Sequence, residues 1–173
     1  MSPHLGTHTD APSHISKKLS KENGAGSLPL APFIGPCMVV DLSPCHGQIT
    51  VEHFKKALKT RTILPRVLMR SSSFTSFAKE CAYLSVDLIH FLHEHQVILV
   101  GIDTPSVDFL TSKSLEVHHA LVAHHMLWLE NLNLSSAAEE EYFLSALPIK
   151  LMELEAAPVR AVLLPPLYEG IRC

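Results

Sequence analysis

The 173-residue sequence has no Cys-x-x-Cys pair, no large net charge and no long apolar run. A chain of this size does not need a disulfide framework to fold, and its cysteines are scattered, so we expect reduced thiols that pack as small hydrophobic side chains. The four cysteines are Cys37, Cys45, Cys81 and Cys173. A cysteine nucleophile assisted by a histidine is the alternative, but no spacing in the sequence supports it.

The formal charge of −3 at pH 7 gives no reason to expect nucleic acid or an anionic membrane surface as a partner. No apolar run approaches the roughly 18 residues that a transmembrane helix needs. The histidine motif described below begins at His4, which leaves no room for a signal peptide. We therefore expect a cytoplasmic protein that acts on a small molecule and binds neither nucleic acid nor a membrane.

Hydrophobic residues make up 47% of the chain and no internal repeat is present, which favours a single domain over residues 1–173. Helical and strand patterns alternate along the chain, as is typical of an α/β fold. The predicted strands are 37–42, 66–70, 97–102, 126–130, a strand within 139–146 and 161–164. The predicted helices are 51–59, 83–95 and 115–123, and 16–27 is predicted to be a polar surface loop. Asp103–Pro105 follows a buried strand, where ligand loops are common in α/β folds.

A short N-terminal segment contains three imidazoles and one carboxylate within eleven residues, interleaved with Gly6 and Pro12, which restrict the path of the backbone. The four candidate side chains are His4, His8, Asp10 and His14. Imidazole nitrogen and carboxylate oxygen suit zinc and, less selectively, manganese or iron, and the absence of thiolates argues against a closed structural zinc site. A tag remnant or a solvated loop is the alternative, but a tag lacks the interposed aspartate.

The motif His-x-Gly-Thr-His-x-Asp-Ala-Pro-x-His resembles the signature of the metal-dependent cyclase family, and within it most nearly that of the bacterial kynurenine formamidases. Further similar segments follow in the same order and extend the resemblance over nearly the whole chain. They are residues 33–37, 101–108, 112–119 and 157–162. The resemblance implies a cyclase-like fold of the swivelling β/β/α type, with a central mixed β-sheet or barrel-like core flanked by helices.

The resemblance also implies a metal centre with two zinc ions per subunit, with manganese as an alternative. The implied ligands are His4, His8, Asp10, His118 and Glu130. Asp10 would bridge the two ions, and His14 would be the general acid and base. Considered without the family, Glu130 at the end of an apolar strand is more typical of a surface residue, although a helix followed by a strand allows His118 and Glu130 to converge.

The remaining histidines carry weaker signals. The first group lies on or just after the predicted helix 83–95 and is interpreted as polar-face or helix-end residues, with metal chelation by residues three apart as the alternative: His90, His93 and His95. The second group is close to His118 in sequence and is a candidate for orienting the metal ligands: His119, His124 and His125. No role is predicted for His46 or His53.

The activity implied by the resemblance is hydrolysis of N-formyl-L-kynurenine to L-kynurenine and formate, carried out by a homodimer. Two alternatives remain open. The first is a hydrolase of the same family that acts on another amide or on a lactone. The second is a truncated homologue that binds metal without catalysing a reaction. Family members carry additional residues before the first ligand, so we expect this chain to lack the usual N-terminal segment.

Overall fold

A computed structural model of the protein describes residues 2–16, 20, 22–72 and 81–166. These ranges contain ten strands, listed in chain order: β1 His8–Asp10, β2 Ile34–Asp41, β3 Gln48–Ile49, β4 Arg66–Arg70, β5 Tyr83–Leu84, β6 Leu99–Ile102, β7 Leu127–Leu129, β8 Glu141–Ser145, β9 Ala156–Pro158 and β10 Val162–Leu164. The α-helices of the same ranges are α1 Ser13–Ser16, α2 Val51–Leu58, α3 Val86–Glu94 and α4 Glu116–Ala123. Cys173 and part of the predicted 16–27 loop lie outside the described residues.

The central sheet has the strand order β10-β8-β2-β4-β6-β7. Strands β2, β4, β6 and β7 are parallel, whereas β8 runs antiparallel to both β2 and β10. The parallel strands carry continuous buried apolar runs such as Cys37–Val40 and Val67–Met69. Such runs are typical of strands that are covered on both faces.

A second, two-stranded sheet pairs β1 with β9 and is joined to the central sheet by two single bridges. His8 bridges Glu130 just after β7, and Pro148 bridges Val159 in the segments that follow β8 and β9. The strands therefore curve around an apolar interior, which contains Phe33, Leu99, Leu129, Leu144 and Ala157. This arrangement confirms the expected α/β class with a central mixed sheet and a barrel-like core.

Helices α2, α3 and α4 cover the other face of the parallel strands and bury a second apolar cluster that includes Phe54, Leu88, Leu121 and Trp128. Thr50 caps α2 by accepting a hydrogen bond from the backbone N–H of His53. The predicted flanking helices are thus confirmed. No helix in the described part of the chain combines the length and the apolar character that a bilayer crossing requires.

The structure corrects the start of the predicted helix 83–95. Tyr83–Leu84 forms strand β5, paired with β3, and α3 begins only at Val86. Ser85 sets this boundary because its side chain accepts a hydrogen bond from the backbone N–H of Leu88. The apolar spacing that predicts the helix extends back to Leu84, so this pattern did not indicate that Ser85 is the N-cap.

Candidate metal centre

Strand β1 and its neighbours bring all six predicted site residues together. His8 and Asp10 lie on the same side of β1 because side chains alternate along a strand. The backbone N–H of His8 donates to the carbonyl of Glu130 over 3.2 Å, and the N–H of Glu130 donates to the carbonyl of His8 over 3.0 Å. These two bonds hold Glu130 beside β1. His118 reaches the same place from the buried face of α4, and His14 from α1.

The Asp10 carboxylate lies at the centre of this cluster and is 1% exposed. Its Oδ1 lies 3.0 Å from His4 Nδ1 and 3.4 Å from His8 Nε2. Its Oδ2 lies 3.4 Å from His118 Nε2 and 3.8 Å from His14 Nε2. Each oxygen of one carboxylate thus faces a different pair of imidazoles, which is the geometry expected of a ligand shared by two cations.

Glu130 contacts two of the same imidazoles from the other side. Its Oε2 lies 3.1 Å from His8 Nε2, and its Oε1 lies 3.5 Å from His118 Nε2. The Oε1 atom also accepts a hydrogen bond from the backbone N–H of Val107 over 2.7 Å. The sequence has no local signal for this contact, because Val107 and Glu130 are 23 residues apart and become neighbours only in the folded chain.

The atoms that face one another in the cluster fit a metal ion. His8 Nε2, His118 Nε2 and both carboxylate oxygens of Asp10 are buried and have no hydrogen-bond partner among the described residues. Burying such atoms without partners is costly, and native proteins rarely do so without a compensating ion or water. The donors are imidazole nitrogen and carboxylate oxygen, the set that zinc binds.

Three groups of the described residues have ligand atoms close enough together to hold an ion, and two of them include Asp10. The first is His4, His8 and Asp10, the same three residues that the sequence predicts for one ion. The second is Asp10, His14 and His118, which has His14 in the position predicted for Glu130. A further group consists of His4, His14 and Glu155, and sequence analysis did not predict Glu155.

The carboxylates and the imidazoles of the cluster change one another's pKa. Burial favours the neutral acid at Asp10, but three neighbouring imidazoles outweigh burial and hold the pKa of its carboxyl well below its usual range. Those imidazoles are His118, His4 and His8. Negative charge is therefore retained at the centre of the cluster, where it can attract a cation.

The same interactions act in the opposite direction on the imidazoles. Burial lowers the pKa of His8, but Asp10 and Glu130 outweigh burial and raise it to about 10. Burial likewise opposes protonation of His118, whose pKa is raised to about 9, chiefly by Asp10 and Asp108. Without a metal ion, protons on these two rings balance the negative charge of the buried carboxylates. A divalent cation can replace them, and its binding then releases protons.

Two acceptors orient the buried imidazoles so that Nε2 faces the carboxylates. The carbonyl oxygen of Gly6 lies 2.9 Å from His8 Nδ1, and Asp108 Oδ2 lies 2.6 Å from His118 Nδ1. Because both acceptors accept a hydrogen bond from Nδ1–H, the neutral form of each ring carries its lone pair on Nε2, the nitrogen available to a metal. Asp108 is thus a functional residue that sequence analysis missed, although it ends the similar segment 101–108.

The histidines that follow His118 do not orient it. His119 and His125 are exposed, and His124 contacts two histidines of α3. His124 Nε2 lies 2.7 Å from His90 Nδ1, and its ring stacks on His93 at a centroid distance of 4.1 Å. The prediction that His124 orients the ligands is therefore wrong, and the interpretation of His90 and His93 as surface residues is supported by their exposure.

The loop that follows β6 has a structural role. The Asp103 carboxylate accepts hydrogen bonds from the backbone N–H groups of Ser71 and Ser72 and from the Ser71 hydroxyl, at 2.6–3.0 Å. The Asp103 carboxylate therefore binds the two residues that follow β4. Asp103 is therefore not in any of the candidate ligand groups, whereas Asp108, five residues further along, contacts His118 and orients it.

Comparison with known proteins connects this site to a family. The family model described as "Putative cyclase" matches residues 1–109. A kynurenine formamidase from Bordetella petrii is 40% identical to the chain over 169 residues, which cover 94% of this chain and 77% of the relative. A kynurenine formamidase from Bordetella pertussis is 41% identical with the same coverage.

A solved structure described as a potential metal-dependent hydrolase with cyclase activity has the same fold. It matches with a TM-score of 0.79 and 28% identity, over 94% of this chain and 79% of that chain. The likeness therefore extends over nearly the whole chain.

Proposed function

Because the chain belongs to the cyclase family, we propose that it is a metal-dependent hydrolase that converts N-formyl-L-kynurenine and water to L-kynurenine and formate. Relatives named kynurenine formamidase, about 40% identical over 94% of the chain, support this substrate. The observation that carries the proposal is the buried Asp10 carboxylate, which faces four imidazoles at 3.0–3.8 Å.

We further propose two zinc ions per subunit, with manganese as the alternative metal. His4 and His8 would hold one ion, His118 and Glu130 the other, and Asp10 would bind both. When bound, these ions supply Lewis-acid polarisation of the formyl carbonyl and activation of water. The remaining steps depend on side chains of this chain.

His14 is the proposed proton carrier. Its side chain is 25% exposed, whereas His8, Asp10 and His118 are at most 2% exposed. His14 and His4, which is 26% exposed, are therefore the imidazoles of the cluster that a substrate can reach, and His4 is assigned above to a metal ion. In the reaction, water adds to the formyl carbon, the carbon–nitrogen bond breaks, and His14 donates a proton to the departing aromatic amine.

We propose a homodimer that forms through the end of the central sheet remote from β7. Ile34, Val162 and Leu164 are exposed there by 37%, 39% and 43%. Ile34 and Val162 both pair with Ser145, so they lie in one row across three strands. Exposed apolar side chains in a row are typical of a contact surface. Light scattering should give twice the chain mass, and Val162→Glu should shift it to the monomer.

The activity is tested with protein that is stripped of metal by a chelator and then reloaded with zinc or manganese. We expect the reloaded protein to hydrolyse N-formyl-L-kynurenine faster than a lactone or a cyclic amide. Asp10→Asn should lose both bound metal and turnover, whereas Glu94→Gln, on the exposed end of α3, should retain both. Turnover of other amides or lactones alone would identify a different hydrolase of the family. Bound metal with no turnover would identify the non-catalytic alternative.

A further inference from the structure

Glu155 lies next to the proposed metal centre because of the pairing between β1 and β9. The register places Asp10 opposite Ala156, and the backbone N–H of Ala11 donates to the carbonyl of Glu155 over 2.8 Å. The backbone of Glu155 is therefore fixed beside the end of β1. Its side chain is 47% exposed and extends toward two of the histidines.

The two carboxylate oxygens of Glu155 face different imidazoles. Its Oε1 lies 3.4 Å from His4 Nε2, and its Oε2 lies 3.7 Å from His14 Nδ1. In both rings this is the nitrogen directed away from Asp10, since His4 Nδ1 and His14 Nε2 are the atoms that face Asp10. One carboxylate thus lies behind both rings, which are themselves in contact at a centroid distance of 4.8 Å.

We propose that Glu155 is a positioning residue that orients His4 as a metal ligand and His14 as the proton carrier. The part that concerns His14 rests on the function proposed above. A carboxylate that accepts the outer N–H of an imidazole fixes its tautomer and leaves the inner nitrogen with its lone pair. For His4 the inner nitrogen is Nδ1, the atom available to a metal. For His14 it is Nε2, the atom available to exchange a proton.

The other two imidazoles of the cluster have an acceptor in the equivalent place. The Gly6 carbonyl lies behind His8 and the Asp108 carboxylate behind His118. Without Glu155, His4 and His14 would lack this arrangement. His14 Nδ1 is buried and makes no hydrogen bond within the described residues, so a small rotation of the Glu155 side chain would satisfy it.

The experiment compares Glu155→Ala, Glu155→Gln and Glu155→Asp with the wild type. Glu153→Gln is the matched control, because Glu153 is an exposed acid on the same segment. Zinc affinity is measured by competition with a chelator, and kcat and KM for N-formyl-L-kynurenine are measured at saturating zinc. Circular dichroism establishes that each variant is folded. If Glu155→Ala does not fold, Glu155→Gln decides the outcome.

We expect Glu155→Ala to weaken zinc binding about tenfold and to lower kcat at saturating zinc about tenfold, in the range found when such outer partners are removed. KM should change less than twofold. Glu155→Gln keeps an acceptor oxygen and should recover part of both losses, and Glu153→Gln should match the wild type.

Unchanged zinc affinity and kcat in Glu155→Ala would overturn the proposal. A rise in KM alone would also overturn it, because Glu155 would then contact the substrate instead of the imidazoles. A loss of zinc affinity with an unchanged kcat would support the proposed role of Glu155 at His4 and overturn its proposed role at His14. If the wild type does not hydrolyse N-formyl-L-kynurenine, the proposed function fails, and the zinc measurement still decides whether Glu155 orients His4.

Discussion

Asp108 accepts a hydrogen bond from His118 Nδ1 over 2.6 Å and holds the start of α4 with the same carboxylate. The backbone N–H groups of Val117 and His118 donate to it over 3.0 and 3.1 Å. The N-cap residue of α4, Leu115, has an apolar side chain that cannot accept a hydrogen bond. Asp108 therefore supplies the helix cap from outside the helix, and the position of the helix and the orientation of its histidine depend on one group.

Replacing Asp108 by asparagine should weaken zinc binding by roughly ten- to a hundredfold. The amide group can still accept from the backbone, but it lacks the negative charge that holds the Nδ1–H proton of His118. Zinc affinity, measured by chelator competition, provides the test. Asp87→Asn is the matched control, since it removes an exposed acid from the first turn of α3. Wild-type affinity in Asp108→Asn would contradict the role assigned to this hydrogen bond.

The one tryptophan of the chain should report metal binding. The ring of Trp128 packs edge-to-face against His118, with the centroids 5.2 Å apart, and is completely buried. A cation held by His118 changes the charge next to the indole, so zinc titration should change the fluorescence of Trp128 in proportion to occupancy. His118→Ala should abolish the response. A response that persists in that variant would assign the signal to a different site.

Sequence reasoning located the candidate metal-binding segment because its proposed ligands are close together along the chain. His4, His8 and Asp10 lie within seven residues, and the structure keeps them in one group. Strand β1 itself was not predicted, since His-Thr-Asp has no apolar alternation. It forms because tertiary contacts with β9 and Glu130 satisfy its backbone.

The orienting residues could not be predicted from spacing. Glu155 is 151 residues from His4 in sequence, and Asp108 is ten residues from His118 across a loop. Neither separation corresponds to a helix or strand period, so no local pattern marks them. In contrast, α2 and α3 were predicted because burial of one helix face produces a periodic apolar pattern.

Exchanging His14 for alanine should leave the metal content unchanged and lower kcat roughly a hundredfold or more, the usual effect of losing a general acid or base. The structure also groups His14 with Asp10 and His118, so metal content is the decisive measurement. Loss of one zinc ion in His14→Ala would make His14 a ligand instead of a proton carrier. His119→Ala, at an exposed histidine next to His118, should change neither zinc content nor kcat.

The Asp41–Arg70 ion pair should contribute stability that disappears in acid. The two residues face each other in the register of β2 and β4, with 2.6 Å between Asp41 Oδ2 and Arg70 Nη2. The hydrogen bond from Arg70 is the main reason that the pKa of Asp41 is lowered from 3.8 to about 2. The folded pKa lies below the unfolded one, so the contribution is complete above pH 3.8 and is lost as pH falls through about 2.

Asp41→Asn should therefore lower the free energy of unfolding at pH 6 by about 1 kcal/mol, since the pair is partly exposed and solvent screens it. The difference from the wild type should shrink as the pH falls below 3.8, because protonation removes the charge of Asp41 in the wild type too. Urea unfolding at a series of pH values, with metal removed from both proteins, measures this difference. Glu94→Gln, at an exposed acid on α3, controls for the loss of one negative charge. A difference that stays constant down to pH 2 would mean that the charge of Asp41 is not the source of the lost stability.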